Sequence, residues 1–434
     1  MKTTTPYSNA AFTTICILVA FTPLARGSVH PWATTLMQIC VLIAAILLIL
    51  ESLKADTQLI PKTPLNLPLA ALILLAGIST LTSSHKPLAW EGFLLLLTYI
   101  AVYFITQSAT RTREHQRTLV YVIIGTALFL SIFGLFKRFG LNPFPFWEYG
   151  DLKYNPDWLS STFGNHNHIA GFIEMAFPFL LVLFLTRSRS LGMIFILIYL
   201  VLILLTVQAL TLSRGGWIST VGAIAFMMLV LLSQKRFYRK KLILALVGTT
   251  LVISAFILAS TPIVERVMTL TEKDESASME SRIKAWTGTM ELIKDHPYFG
   301  TGPGTYAAAF PEYQPPGLGV LFRNVHNDYL HFAADTGVLI IPVMLWILFA
   351  FFRKGFENMS DASRQTRGFS LAALAALVAI LIHSISDFNL HIPANALLFV
   401  VIAGTVTLQP ALQGERSTNP SASHNPNNPS LTPK

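Results

Sequence analysis

Polar side chains that could bind or activate a substrate stand where three long apolar runs begin. Each run offers residues suited to cap a helix: Asn165 or Asn167 in "GNHNHIAG", Ser213 in "TLSRGGW", and Asn327 or Asp328 in "VHNDYLH". A helix N-terminus carries unpaired N–H groups and a partial positive charge, so it attracts anions. Three such termini on one face of the protein would predict a phosphate-binding site.

Two arginines could strengthen such a site. Arg214 follows Ser213 directly, and its permanently charged guanidinium fork fits a phosphate with two hydrogen bonds. The alternative is an arginine that reaches to lipid head groups. Arg282 lies further along the chain, where Glu280 and Lys284 leave a surface salt bridge as its alternative role.

His326 is the candidate general base, because a neutral imidazole is available near neutral pH. Its alternative is a structural loop histidine. Together with His166, His168 and His331 it suggests a metal, but the spacing fits no standard zinc pattern. We therefore expect chemistry that uses neither a metal nor a cofactor.

Four further ionisable residues lie in or beside apolar runs. Glu91 and Glu174 are functional candidates by their position, with a hydrated structural role as the alternative. His383 and Asp387 are four residues apart and could form a structural pair or line the same cavity. The glycine-rich segment 300–304 follows no predicted strand, so it predicts a turn and not a nucleotide-binding loop.

The composition places these residues in a membrane protein. Of 434 residues, 53% are hydrophobic and 12% are charged, whereas about 25% are charged in soluble proteins; the mean hydropathy is +0.56. The apolar runs are continuous and not alternating, which favours helices over a barrel. We predict an all-α polytopic integral membrane protein with about twelve transmembrane helices. The predicted spans are 9–25, 31–50, 66–83, 88–107, 117–136, 168–186, 190–210, 214–233, 241–260, 328–352, 368–386 and 393–409.

Most of the 31 basic residues fall between alternate spans, which predicts that both termini are cytoplasmic. The chain then divides into spans 1–9 (1–260), an outer loop domain (261–327), spans 10–12 (328–410) and a disordered tail rich in Ser, Asn and Pro (411–434). The first span has a cleaved signal peptide as its alternative. Cys16 and Cys40 lie within predicted spans, so no outer disulfide is expected.

The outer loop contains a predicted amphipathic helix with Arg282 on it. Its apolar residues recur at spacings of three and four, and they are Met279, Ile283, Trp286, Met290 and Ile293. The segment "HPYFGTGPGTY" ends this helix with proline and glycine. We expect the loop to be partly helical and to pack on the membrane surface.

These motifs, taken together, resemble the O-antigen ligase and polymerase superfamily. An Arg and a Trp on an outer helix precede "HPYFGTGPG", and "NVHNDYLH" precedes the next span, as in that family. The upstream "LSRGGW" and "GNHNHIAG" are similar to two further family motifs. The resemblance covers about 160–350 and departs from the pattern at His166, where the family more often has Pro.

The resemblance implies a GT-C-like glycosyltransferase in the bacterial inner membrane, with its active site facing the periplasm. Such enzymes move a glycan from undecaprenyl diphosphate to an acceptor hydroxyl. By this resemblance Arg214 and Arg282 would bind the diphosphate, and His326 would act as the base or position the acceptor. Asn327 would support His326, and Trp286 would contribute to substrate binding.

Several alternatives stay open at this point. The acceptor is lipid A core for a ligase, but a polymerase would use a second lipid-linked repeat, and a third branch of the superfamily glycosylates protein. A glycolipid transporter or flippase is an alternative of another class, and so is a non-enzymatic assembly protein. A transporter predicts charged or broken helices near the bilayer midplane, and the spans here are nearly free of such charge.

Overall fold

The computed structural model describes residues 4–55, 60–142, 158–186, 190–234, 274–316, 321–361 and 363–407, with 58, 144, 245 and 248 as isolated positions. The predicted ninth span, the start of the outer loop and the predicted tail lie outside these ranges. Within them the chain is helical and contains no strand. The helices are α1 (Pro6–Leu24), α2 (Pro31–Ala55), α3 (Asn66–Thr82), α4 (Lys86–Ala109), α5 (Arg113–Arg138), α6 (His166–Thr186), α7 (Leu191–Leu210), α8 (Arg214–Ser233), α9 (Asp274–Asp295), α10 (Tyr306–Ala309), α11 (Asp328–Thr336), α12 (Ile340–Met359), α13 (Arg364–His383) and α14 (Pro393–Thr407).

Eight of these helices are long and apolar enough to cross a membrane: α1, α2, α4, α5, α6, α7, α8 and α13. Helices α3 and α14 are apolar but shorter. Helix α12 has 20 residues and carries Arg353, Lys354 and Glu357 near its end. The predicted all-helical, multi-pass membrane protein is therefore confirmed. The number of twelve spans and the separate outer loop domain stay predictions.

The apolar run predicted as one span over 328–352 is two helices. Gly337 ends α11 with a φ of +79°, and a Cβ atom there would overlap the carbonyl of Tyr298. A left-handed conformation with so little space favours glycine. The membrane-length helix α12 begins only at Ile340, so α11 joins the outer layer and not the predicted tenth span.

The turns between helices gather at two ends of the bundle. At the first, which we call the loop end, Thr162 Oγ1 donates to the carbonyl of Pro23 at 2.7 Å; α1 and α13 end there, and α6, α8 and α11 begin there. At the second, the far end, the Tyr103 hydroxyl lies 2.8 Å from the hydroxyls of both Thr63 and Thr407. The candidate residues of the sequence analysis belong to the loop end.

Helix α13 is the centre of the membrane part. It packs against α6 and α8, and it is lined by the fully buried residues Ala372, Ala373, Ala375 and Ala376. Small side chains let helices approach closely inside a membrane. This close packing brings His383, at the end of α13, next to α6 and the first turn of α8.

The outer layer consists of α9, α10, α11 and the turns between them. Helix α9 packs on α11 and on the 3-10 turn Phe310–Tyr313. Its buried face presents Ala285 and Leu292 to Tyr306 and Phe310. This small cluster fixes α9 over the loop end of the bundle.

The predicted apolar face of α9 is partly wrong. Ile283 and Met290 are 51% and 52% exposed. The face that is buried instead contains Gly288, where a Cβ would overlap the carbonyl of Tyr313. Small residues allow the backbones to approach, so the packed face of α9 includes Gly288 and Ala285 together with Leu292.

Candidate functional site

The turn after α13 connects the candidate residues. This segment, Ser384–Phe388, we call the hub turn. Its backbone carbonyls accept hydrogen bonds from the outer layer, and its Ser384 hydroxyl donates one to Asp328. Ser386 lies beside the first turn of α8. Ser384 is fully buried and Asp387 is 1% exposed, whereas Ile385 is 53% exposed. The hub turn is therefore buried on both sides of Ile385 and reaches the surface at that residue.

Helix α9 contributes Arg282 and Trp286 to this region. Arg282 Nη1 donates to the carbonyl of Ser386 at 2.9 Å, which uses one of the five guanidinium donors. Trp286 Nε1 donates to the carbonyl of Val325 at 2.9 Å. Arg282 therefore lies at the hub turn, and Trp286 holds the backbone immediately before His326.

His326 stands beside Asp387 in an uncommon backbone conformation. Its φ is +54°, which is costly for a residue other than glycine and is often found at functional sites. Its Nδ1 lies 3.8 Å from Asp387 Oδ1, too far for a hydrogen bond, and it is buried with no hydrogen-bond partner among the described residues. About a quarter of the side chain (26%) is exposed.

Asp387 carries a negative charge next to several histidines. Its burial opposes ionisation, but the nearby imidazoles of His326, His168 and His383 outweigh this cost, so the pKa of Asp387 lies below its ordinary value. The backbone N–H of Phe388 also donates to Asp387 Oδ1 at 2.7 Å. An ionised Asp387 can orient His326 and stabilise the imidazolium form of its ring.

Helix α11 is tied to the hub turn through its first two residues. Asn327 is the N-cap, because its Oδ1 accepts from Leu330 N at 3.0 Å, and its Nδ2 donates to the carbonyl of Ile385 at 3.0 Å. The buried carboxylate of Asp328 accepts from Ser384 Oγ at 2.7 Å and contacts His391 Nδ1 at 2.6 Å. Asn327 and Asp328 fix the turn that contains His326.

A second polar row crosses the core beneath the hub turn. His383 Nδ1 lies 3.0 Å and 3.1 Å from the two carboxylate oxygens of Glu174, and His383 Nε2 lies 3.5 Å from Ser213 Oγ. All three residues are about 1% exposed. Glu174 and His383 thus form a buried pair across α6 and α13. The sequence analysis considered a pair of His383 with Asp387 and did not predict this one.

Helix α8 begins beside this row. Ser213 is its N-cap, and its Oγ accepts from Gly216 N at 3.1 Å. Arg214, the first residue of the helix, is exposed. A Cβ at Gly215 would overlap the imidazole of His383 and the Oγ of Ser386, so the glycine lets Ser213 and Arg214 approach the hub turn.

Helix α6 begins near the same place. Asn165 is its N-cap, since its Oδ1 accepts from Asn167 N at 2.8 Å. His166 Nδ1 lies 2.7 Å from the carbonyl of Thr211, in the turn before α8. Asn167 is buried. The two helix N-termini, α6 and α8, are therefore neighbours, as the sequence analysis expected.

The glycine-rich segment 300–304 is a turn that anchors the outer layer. Gly302 N donates to the carbonyl of Asp335 at 2.8 Å, and Gly304 N donates to Asp335 Oδ2 at 2.7 Å. Ser83, after α3, donates to the carbonyl of Thr301 at 2.5 Å. The segment has a structural task here. Glu91, the other acidic candidate, is exposed on α4.

Three residues near α11 have side chains that metals favour: His331, Asp335 and His391. Their nearest potential ligand atoms lie within 4.8 Å of one another. However, the rings of His331 and His391 are stacked, with centroids 3.7 Å apart and an angle of 9°. Metals bind in the plane of an imidazole, so two parallel rings share an ion only after one of them rotates. Burial lowers the pKa of His331 and raises the pKa of Asp335 to about 6.

The sequence analysis missed the hub turn as a unit. It named Asp387 and His383, but not the carbonyls of Ile385 and Ser386, which receive Asn327 and Arg282. Backbone acceptors have no sequence signature. The one signal available was the polar run "HSISDF" directly after an apolar span.

An all-helical membrane bundle with arginine, histidine and two helix N-termini at one end is the arrangement expected of an enzyme that handles an anionic, lipid-borne substrate. Residues 199–345 match the family model described as O-Antigen ligase. The match supports the O-antigen ligase superfamily and a membrane glycosyltransferase of the ligase or polymerase type. No curated protein matches the chain. The matched segment includes Ser213, Arg214, Arg282, Trp286, His326 and Asn327.

Proposed function

We propose that this protein transfers a glycan from undecaprenyl diphosphate to an acceptor hydroxyl at the periplasmic face of the bacterial inner membrane. The observation that carries the proposal is the convergence of α9 and α11 on three consecutive residues of the hub turn. Asn327 contacts Ile385, Arg282 contacts Ser386, and His326 faces Asp387. The first turn of α8, with Arg214, lies against the same segment.

In this proposal the diphosphate lies between Arg214 and Arg282. The N-termini of α6 and α8 add partial positive charge, and Ser213, Asn165 and Asn167 line them. Departure of a diphosphate leaves negative charge in the transition state, and preorganised positive groups stabilise that charge. The polyprenyl chain stays in the lipid between helices, so only its head group enters the site.

His326 is the proposed general base. Its Nδ1 faces the ionised Asp387, so Nε2 is the nitrogen that takes the proton from the acceptor hydroxyl. The hydroxyl oxygen then forms a bond to the anomeric carbon, while the bond from that carbon to the diphosphate oxygen breaks. The products are the glycosylated acceptor and undecaprenyl diphosphate. Asn327 and Trp286 hold the backbone on either side of His326.

For the acceptor we propose the lipid A core, which makes the protein a ligase. The same residues fit a polymerase that uses a second lipid-linked repeat. The experiment must therefore identify which acceptor receives the glycan. The proposal needs no metal and no cofactor, because arginines and helix N-termini supply the positive charge.

The test is glycan transfer by the full chain in liposomes. The donor is undecaprenyl-diphosphate glycan, the acceptor is purified lipid A core, and a chelator replaces added metal. His326→Ala and Arg214→Ala are compared with Lys294→Ala, which removes an exposed ion pair with Glu291 in the same outer layer. The products are distinguished by their mass and by whether the glycan is still attached to the undecaprenyl carrier.

Glycosylated lipid A, retained in Lys294→Ala and lost in the other two variants, supports the ligase. Repeats that lengthen on the carrier would show a polymerase, and lipid A core would then be the wrong acceptor. Carrier that crosses the bilayer with no transfer to either acceptor would mean a transporter, and the proposal would fail.

A further inference from the structure

A separate cavity lies at the far end of the bundle, away from the hub turn. Its volume is about 510 Å³, and it opens between the segment before α3 and the ends of α12 and α14. Thr407 at its edge shares the Tyr103 hydroxyl with Thr63. Helix α12 runs from near Gly337 to this cavity, so its 20 residues separate the cavity from the loop end by about 30 Å.

The polar lining of the cavity has an excess of positive charge. Lys62, Arg353 and Lys354 contribute three cations, and Glu357 is the acidic residue among the described lining. Glu357 contacts Arg353 at 3.1 Å and Lys354 at 3.8 Å. The described lining thus contains three cationic side chains and one carboxylate, a composition that suits a phosphate.

The other wall of the cavity is apolar and reaches into the membrane. Trp346 and Phe349 are 45% and 64% exposed, and both line the cavity. They precede Arg353 by seven and four residues, so they lie on the same face of α12, about one to two turns deeper. Along this face the surface changes from aromatic to cationic toward the far end.

We propose that this cavity binds the phosphate head group of an anionic phospholipid from the leaflet at the far end. The distribution of Lys and Arg predicts that this is the cytoplasmic leaflet. Basic pockets between transmembrane helices on that side suit anionic head groups. The head group lies between Lys62 and Lys354, and an acyl chain follows Trp346 and Phe349. The inference does not depend on the proposed transferase activity.

The test measures lipid retained by the purified full chain. Protein in detergent is mixed with phosphatidylglycerol or phosphatidylcholine of the same chain length, and bound lipid is counted by native mass spectrometry. The pocket variant is Lys62→Gln/Lys354→Gln. The matched control is Lys54→Gln/Arg364→Gln, which removes the same charge at the far end but outside the cavity lining. A third variant, Lys62→Arg/Lys354→Arg, keeps the charge.

We expect wild type to retain phosphatidylglycerol over phosphatidylcholine. The pocket variant should lose about thirty-fold in affinity for phosphatidylglycerol, since each of the two basic residues contributes about five-fold. The control variant and the arginine variant should keep the wild-type affinity for phosphatidylglycerol. Equal loss in the pocket and control variants would show only a general attraction to the charged face and would overturn the proposal.

Inorganic phosphate provides a second arm of the test. If millimolar phosphate displaces phosphatidylglycerol as well as a short-chain phosphatidylglycerol does, the cavity is a soluble anion site, and the lipid assignment is wrong. If the short-chain lipid displaces it at concentrations at which phosphate does not, the acyl wall of Trp346 and Phe349 contributes to binding. Trp346→Ala should then weaken retention in the same assay.

Discussion

The two ends of the helix bundle satisfy their buried charges in different ways. At the loop end every carboxylate near the hub turn faces an imidazole: Glu174 with His383, Asp328 with His391, and Asp387 with His326. At the far end Glu51 instead faces Arg111, with two N–O distances of 2.5 Å and 3.0 Å. An imidazole can lose its proton, whereas a guanidinium stays charged.

The far end is thus joined by a pair whose charges are fixed, and the loop end by pairs whose protonation can change. The Arg111–Glu51 pair joins the end of α2 to the turn before α5 with fixed charges. The imidazole–carboxylate pairs can instead exchange protons and redistribute charge around the hub turn. In the function proposed above, only the second kind of pairing suits the removal of a proton from the acceptor.

The largest expected effect concerns two histidines at opposite ends. His326→Gln should reduce glycan transfer by about 10²- to 10⁴-fold, because it removes the proposed general base. His115→Gln should leave transfer unchanged, since His115 stacks on Phe12 at the far end with ring centroids 4.2 Å apart. Transfer rates of the two variants in the same liposomes measure this. Equal losses would show that His326 acts only through folding.

The next prediction compares the two buried carboxylates. Glu51→Gln should lower the free energy of unfolding by about 3–5 kcal/mol, because the half-buried guanidinium of Arg111 loses its paired carboxylate. Glu174→Gln should cost less, about 1–3 kcal/mol, because His383 can become neutral and lose only hydrogen bonds. Thermal unfolding in detergent at pH 7 measures both. A larger loss of unfolding free energy for Glu174→Gln than for Glu51→Gln would contradict the proposed difference between the two ends.

A smaller, pH-dependent effect separates two aspartates at the loop end. The pKa of Asp335 is raised to about 6, so its buried charge destabilises the fold above that pH by up to about 3 kcal/mol. Relative to Asp335→Asn, wild type should therefore lose stability as pH rises from 4 to 6. The pKa of Asp387 is lowered, so relative to Asp387→Asn wild type should lose stability as pH falls below 4.

Unfolding temperatures of the three proteins, measured between pH 3 and 7, test both signs. Curves that shift in the same direction for the two variants would contradict the assignment of opposite pKa shifts.

The smallest effect concerns helix caps. Ser213→Ala should cost about 1 kcal/mol, because it removes the 3.1 Å bond to Gly216 N. Ser363→Ala, at the far-end start of α13, should cost less, since its bond to Thr366 N is 3.4 Å long. Thermal unfolding measures the stability of both. Only Ser213→Ala should also weaken transfer, which would place the cap at the site.

Much of the fold followed from the sequence because it depends on local patterns. Continuous apolar runs predicted the membrane helices, and polar residues at their starts predicted the caps Asn165, Ser213 and Asn327. The break at Gly337 was not predicted, because hydropathy continues across it. Its cause is the contact with the Tyr298 carbonyl, which depends on the tertiary structure.

The candidate site was predicted only in part, for a similar reason. Side-chain chemistry indicated Arg214, Arg282 and His326, but the segment that receives them offers backbone carbonyls. The apolar side chains of Ile283 and Met290 also led to a wrong prediction of the buried face of α9. They are exposed, and the face that packs contains Gly288 and Ala285 instead. The periodicity of apolar residues indicates where apolar surface lies on a helix, but it does not indicate how closely two helix backbones can approach.

The contact between Arg282 and Ser386 also sets an order for assembly. The two residues are 104 positions apart, and a ribosome adds about 5–20 residues per second. The outer helix is therefore synthesised roughly 5–20 s before the turn that receives its arginine. Until α13 has entered the membrane, α9 has no hub turn to contact, so a nascent chain that stops before Ser384 contains most of the helices but no assembled site.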